Sequence, residues 1–416
     1  MFRSVERIGR AYPRQLWVLV SGMLLVSIGG SMWWPFITIY MREQMNVSLT
    51  QVTLLFTLHS AAGLVATTVV GPAVDRFGRR GAMIAGLLAD AIALAVIGLV
   101  SGLWLWAAAL VLLGFAGPIY RIGSDAMVAD MIPSDRRAEA YAVLRMGNNF
   151  GIAIGPAIGG FIVAISYSLA YFLAAGANLI FALLVVLFVR ETMARGVDGQ
   201  PSVVAGGYGP VFRDRRFIAF CVIMIAATIP SPLLMMLLPA YGKEHFGVLE
   251  SQYGFIMSAN AIMVVLLQVL VTRWSTRFPN LPILALGALL YGLGAGSVAL
   301  GTGFWPFLGS MVILTFGELL LVPTGTAFAA NAAPASMRGR YMGLYGLTWS
   351  VAFGIGPVLG GWLNDNIAPV MIWVGGLVAG LLGVAGFLLL WRKVGRHYGE
   401  MAPTSDTVPA AERSLA

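Results

Sequence analysis

Charge is what this chain has least of. Asp, Glu, Lys and Arg make up 11% of its 416 residues, against about 25% in soluble globular proteins. Lysine is reduced to Lys243 and Lys393, histidine to His59, His245 and His397, and cysteine to Cys221. A single cysteine excludes an intramolecular disulfide and a cysteine metal cluster. The sequence holds no nucleotide-binding loop, no metal-ligand spacing and no nucleophile–base set, so an enzyme is not expected. No metal or other cofactor is called for, and a gradient is the energy source left. Short alternating segments of about ten residues, the mark of a membrane β-barrel, are missing as well.

What is present is apolar length. Hydrophobic residues reach 59% and the mean hydropathy is +0.85. Apolar runs of membrane length lie at about residues 15–40, 50–70, 81–100, 104–130, 138–165, 168–190, 217–241, 251–272, 281–301, 305–330, 340–364 and 369–391. The expected fold is an all-α polytopic membrane protein with twelve transmembrane helices. If the loops are numbered alternately, one side collects all but four of the 26 Lys and Arg residues. The other side has only Arg42 and Lys243, and Arg121 and Arg145 fall inside spans. This asymmetry predicts that both termini are cytoplasmic, in a bacterial inner membrane. The net charge of +8 is thereby read as topology, and no nucleic-acid partner is expected. The first apolar run is too long for a signal-peptide core and is read as an uncleaved span, with Trp33-Trp34-Pro35 as interface anchors at its end.

A repeat runs through the chain at a constant offset of 201, the step from Tyr40 to Tyr241. Tyr40-x-Arg42-Glu43 returns as Tyr241-x-Lys243-Glu244, Arg76-Phe77 as Arg277-Phe278, Pro133 as Pro334, and Arg137 as Arg338. Gly155-Pro156-x-x-Gly159-Gly160 returns as Gly356-Pro357-x-x-Gly360-Gly361. An even number of spans per unit makes these parallel repeats about an axis along the membrane normal. The expected units are a first six-helix bundle at 1–190, a cytoplasmic linker at 191–216, a second bundle at 217–396 and a disordered tail at 397–416.

Two motifs carry the local chemistry. The loop Gly71-x-x-x-Asp75-Arg76-x-Gly78-Arg79-Arg80 sets four charges between two apolar runs. Gly71 and Gly78 are read as turn residues, Asp75 as a helix cap, and the arginines as partners for Asp130. In the second half Thr276 replaces the first acid and Asn331 the other, so Asp75, Arg79 and Asp130 are read as a one-sided latch. In span five, Gly147, Gly151, Gly155 and Gly159 recur at every fourth residue beside Pro156 and Gly160. Such a groove lets another helix approach closely, and it is read further as a joint between moving halves. The loop resembles the signature loop of the major facilitator superfamily. The span-five pattern Gly151-x-x-x-Gly155-Pro156-x-x-Gly159-Gly160 is similar to the motif of its 12-span drug:proton antiporters. The resemblance implies two pseudo-symmetric six-helix bundles around a cavity lined by spans one, four, seven and ten. Against it, the family's span-four arginine would fall at Leu112, and span one has no acid.

Ionisable groups inside a membrane mark function by default. The candidates are Glu318, Asp125 and Asp90 for proton coupling, in that order, with Arg121 as a cavity charge; Arg145 is read as snorkelling or paired to a span-four acid. Glu318 corresponds to Gly117 by the repeat, one turn from Arg121, so the two are expected to face each other across the halves. Lone His59 is read as a packed, hydrogen-bonded residue. The expected function is a proton-coupled antiporter that exports small amphipathic or drug-like molecules by alternating access, working as a monomer with the lipid bilayer, protons and substrate as its partners. A metabolite carrier of the same fold, exporting or importing, is the alternative, and a non-transporting receptor or scaffold a further one.

Overall fold

Inside a bilayer every backbone polar group needs an internal partner, which leaves long apolar segments the helix as their structure. The computed structural model describes residues 12–133, 136–192, 209–334 and 337–394; in its helices the side chains of Thr68, residues 71–73 and 75–77, Ala138, Arg338, Gly339 and Val394 lie outside that description. Among the described residues, twelve spans are long and apolar enough to cross a membrane. They are α1 (Arg14–Met45), α2 (Leu49–Phe77), α3 (Arg79–Leu99), α4 (Leu103–Met131), α5 (Arg137–Ile165), α6 (Tyr167–Phe188), α7 (Arg215–Met236), α8 (Glu250–Ser275), α9 (Asn280–Val298), α10 (Phe304–Ala332), α11 (Arg338–Asn366) and α12 (Met371–Val394). Of the expected linker at 191–216, residues 193–208 fall outside the described residues, as does the tail at 397–416.

Side chains start several of these helices. Ser48 and Gln51 form a reciprocal capping box on α2, and the Asp214 carboxylate accepts the first free amides of α7, from Arg216 and Phe217. Proline shapes the interiors. A single 3-10 turn at Trp34–Phe36, around Pro35, interrupts α1 without ending it. Pro230 opens a new helical segment within α7, and a short helix at Leu238–Phe246 follows.

Two expectations are corrected here. The α2 helix runs through Gly71 to Phe77, so Gly71 makes no turn. The reversal falls on Gly78, whose φ of 91° suits glycine. Trp33 and Trp34 are not interface anchors: because the turn at Pro35 lets α1 continue to Met45, they sit inside the molecule, against Tyr171, Phe56 and His59.

The helices form two pseudo-symmetric bundles, α1–α6 and α7–α12. In the first, α1 packs on α5 and α6, and α4 on α2 and α3. The span-five glycines explain the closest approach. Gly147, Gly151, Gly155 and Gly159 each lie against α1, at Val20, Ser27, Ser31 and Met32. Gly160 turns the other way, onto the backbone of Glu250 and Ser251 in α8. The second copy repeats the division: Gly356 and Gly360 face α7, and Gly361 faces Leu49 and Thr53 of α2. The halves therefore meet along two equivalent seams, α5 with α8 and α2 with α11.

The apolar core follows the same geometry. One cluster runs the length of the second half, from Phe217 and Tyr341 onward, and joins the first half at the end away from the described chain termini, the far face, where Phe36 meets Tyr253 across the seam. Toward the terminal face, a separate cluster around Leu16, Met23, Tyr120 and Phe181 holds only first-half residues.

Candidate functional site

A cavity of about 880 Å³ lies between the halves. It starts beneath Trp33, Trp34 and Pro35 and extends toward the terminal face as far as Asp125 and Asn148. One wall is apolar and adaptable, with Met235, Met236, Met257, Trp349 and Phe353. The other wall is polar. Ser27 donates to Asn148 at 2.7 Å and Ser31 to the Gly151 carbonyl at 3.1 Å, both between α1 and α5. His59 bonds the Leu110 carbonyl at 3.0 Å.

The cavity brings together three of the charged residues singled out in the sequence: Asp90, Arg121 and Asp125. Arg121 and Asp125, one turn apart on α4, influence each other electrostatically, as do Arg145 and Asp125. Asp90 projects from α3 beside Tyr120 and is 7% exposed. Its buried oxygen Oδ1 has no hydrogen-bond partner. Asn178 of α6 lines the same cavity; its amide donates to the Ala174 carbonyl at 3.0 Å and its buried Oδ1 also lacks a partner.

Glu318 is placed differently. It stands behind the wall, accepting a hydrogen bond of 2.8 Å from Asn260, which lines the cavity and also bonds Thr315 at 2.9 Å. The structure does not bring Glu318 to Arg121; the polar groups near it are Asn260 and the buried hydroxyl of Tyr291. The repeat makes this informative, because the offset of 201 carries Asp90 onto Tyr291, Gly117 onto Glu318 and His59 onto Asn260. Each half thus has an acid on the same helix pair, carried on opposite members: Asp90 on α3 in the first half and Glu318 on α10 in the second.

The far face is closed by reciprocal ion pairs. Arg42 forks onto Glu244 at 2.7 and 2.9 Å, and Lys243 pairs with Glu43 at 2.6 Å. Each residue of the Arg42-Glu43 pair thus binds the repeat equivalent of its neighbour in the other half. Lys243 also holds Glu250, which accepts from Tyr167 across the seam at 2.9 Å. Burial alone would pull the Lys243 ammonium down, but its bonds to Glu250 and Glu43 outweigh that and hold it above the ordinary lysine value. Asp365 of α11 accepts the Thr50 amide and hydroxyl at the start of α2, at 2.7 and 2.6 Å.

At the terminal face Arg79 meets Asp130 at 3.1 Å, and Thr192 donates to Asp130 at 2.8 Å. Glu191 accepts the amides of Arg79 and Arg80, at 3.1 and 3.0 Å, at the start of α3, where a helix N-terminus favours an anion. The Arg80 guanidinium donates to the Val186 carbonyl at 2.6 Å. Each of these contacts joins residues of one half. The side chains of Asp75 and Arg76 lie outside the described residues.

Sequence reasoning missed Asn178, Asn260, Glu191 and Asp365. The repeat offered a signal for Asn260, which it aligns with His59. The others are polar residues without a motif.

The family model of the Major Facilitator Superfamily matches residues 19–249 and 217–412. The chain is 28% identical over 417 residues to a Na(+), Li(+), K(+)/H(+) antiporter of Planococcus maritimus, covering 91% of this chain and 96% of that protein. It is 24% identical over 394 residues to the multidrug resistance protein MdtH of Escherichia coli, covering 93% and 96%. Among solved structures, a peptide transporter POT in complex with sulfate superposes with a TM-score of 0.76 at 18% identity, covering 94% of this chain and 96% of that one.

Proposed function

The chain belongs to the Major Facilitator Superfamily and is a multi-pass membrane transporter; on that premise we propose that it is a proton-coupled antiporter exporting small amphipathic molecules from the bacterial cytoplasm. The observation that carries this reading is the cavity on the seam, with Asp90, Arg121 and Asp125 at its wall and the far face clasped shut. A carrier must expose one site to each side in turn. A cavity sealed at one face by contacts between halves is one state of that cycle. With the terminal face cytoplasmic by the positive-inside rule, this state is inward-facing, and the far-face clasp opens when the halves rock about their glycine seams. Asp90, Asp125 and Glu318 are the acids available to carry the proton, and Arg79 with Asp130 works as a latch on the cytoplasmic side.

The likeness to the Na(+), Li(+), K(+)/H(+) antiporter of Planococcus maritimus favours a second reading, in which the exported species is an alkali cation. Purified protein in liposomes with an imposed pH gradient separates the two. Proton flux on adding an amphipathic amine supports the first, and flux on adding sodium, lithium or potassium alone supports the second. Flux with neither removes proton antiport.

A further inference from the structure

A second cavity, of about 330 Å³, opens on the outside of the second half. It lies over Phe316 and Leu320 of α10, between Val271 and Trp274 of α8 and Leu286 and Leu290 of α9. Every residue that lines it is aliphatic or aromatic. The crevice follows from the packing. α9 packs on α10 and α12, while α8 packs on α10 and across the seam on α5, so α8 and α9 barely touch. α8 is the least buried of the twelve spans, and Val269 and Leu270, beside Val271 in the chain, are exposed. The first half treats the same positions differently. The offset of 201 carries Val271, Phe316 and Leu320 onto Val70, Phe115 and Ile119. These pack together, with Ala66 and Val74 buried among them. The second half leaves the crevice open.

Its end toward the terminal face is basic. Trp274 stands in the last turn of α8 with Arg273 before it, and the Arg277 amide donates to the Trp274 carbonyl at 3.2 Å. Both arginines are exposed, and neither forms an ion pair among the described residues. No Asp or Glu occurs from Ser251 to Gly317. Arg277 is the repeat equivalent of Arg76, but Thr276 and Asn331 stand where the first half has Asp75 and Asp130. The second copy of the loop has kept a base and lost its acids. Phe278, also exposed, lies 5.0 Å from the Trp274 ring, an aromatic pair at the level where a span leaves the membrane. Topology alone accounts for arginines here, but not for their standing without counter-charge beside an open, hydrocarbon-lined crevice.

Together these features define the occupant. Water in the crevice would find no polar partner, whereas an acyl chain fits its lining. Guanidinium groups favour phosphate, and basic sites between spans suit anionic headgroups. We propose that α8, α9 and α10 form a binding site for an anionic phospholipid, with one acyl chain in the crevice and the phosphate on Arg273 and Arg277. The site does not depend on the antiport reading.

Native mass spectrometry of the full-length protein, freed of copurified lipid in detergent, tests it. The probes are phosphatidylglycerol, phosphatidylcholine and glycerol 3-phosphate. One phosphatidylglycerol is expected to bind at least tenfold more tightly than phosphatidylcholine, and glycerol 3-phosphate not to bind. Arg273→Gln and Arg277→Gln should each weaken phosphatidylglycerol about fivefold, the factor that corresponds to about 1 kcal/mol per charge, and leave phosphatidylcholine unchanged. Leu286→Trp, which fills the crevice, should weaken both lipids about tenfold. Removing two charges elsewhere on the same face, with Arg392→Gln and Lys393→Gln at the end of α12, should change nothing beyond twofold. No preference for phosphatidylglycerol, or an equal loss in the α12 variant, overturns the site in favour of diffuse surface charge. Glycerol 3-phosphate binding as tightly as the lipid overturns the acyl chain's part. A dimer of the lipid-free protein that Leu286→Trp abolishes gives the crevice to a second copy of the chain instead.

Discussion

The two faces of this transporter are held by different means. At the far face each half supplies one base and one acid from equivalent positions, so Arg42 meets Glu244 and Lys243 meets Glu43. The apolar core beneath is shared by both halves. At the terminal face the pair of Arg79 and Asp130 belongs to one half, and the repeat places Asn280 and Asn331 at its two positions in the other. Duplication thus preserved the far-face clasp as a two-fold device and let the other face diverge. A symmetric clasp reports how the halves sit relative to each other; a latch inside one half sets only that half's own shape.

The comparison can be broken at the seam first. Gly160→Leu places a side chain where the Glu250 backbone already lies, and overpacking of this kind costs about 1–3 kcal/mol. It should reduce transport in liposomes by about tenfold or more, with Gly361→Leu doing the same on the equivalent seam; Gly309→Leu, at a glycine with open space around it, should not. Reversing one charge comes next. Arg42→Glu sets a third acid beside Glu43 and Glu244 and should cut transport severalfold, and adding Glu244→Arg should restore more than half of the loss. The partners are 27% and 33% exposed, so a double-mutant cycle on thermal stability should return only about 1 kcal/mol of coupling.

The pH dependence sharpens the same contrast. Lys243 is held above its ordinary value, so its contribution is complete below the unfolded lysine value and is lost only as pH rises through the folded one. Melting curves of wild type and Lys243→Met should therefore differ by a constant amount from about pH 6 to about pH 9 and converge only above about 10.5. The smallest effect is expected at the terminal face. Arg79→Ala removes an ion pair whose side chains are 16% and 29% exposed and, as a single pair within one half, should cost about 1 kcal/mol or less in stability. It should slow the transport rate while leaving substrate affinity within about twofold; a selective loss of affinity would place Arg79 at the substrate instead.

Much of this was legible in the residues. The spans, the repeat and the glycine seams follow from apolar length and spacing, because helices in a bilayer have few other options. Even the clasp was written in the repeat of Arg42-Glu43 as Lys243-Glu244. Its reciprocity was not, since sequence gives neither the distance between halves nor which face is shut. Asp90 shows the other limit. Its position in mid-span was plain, but facing on an α-helix turns by about 100° per residue, and α3 is apolar on more than one side. Glu318 looked the better cavity acid because span ten lines the cavity in the family. Here Asn260 stands in front of it, and Asn260 becomes visible only when α8 is placed against α10.

The most direct test of the account is whether transport requires the far face to open. Cys221, the only cysteine, is buried; replacing it with serine and introducing Arg42→Cys with Glu244→Cys puts one thiol on each side of the clasp. Oxidation in liposomes should form the crosslink and stop substrate-driven proton flux, and reductant should bring the flux back. Full flux with the disulfide intact would contradict the account, because the site would then be reached without parting the halves.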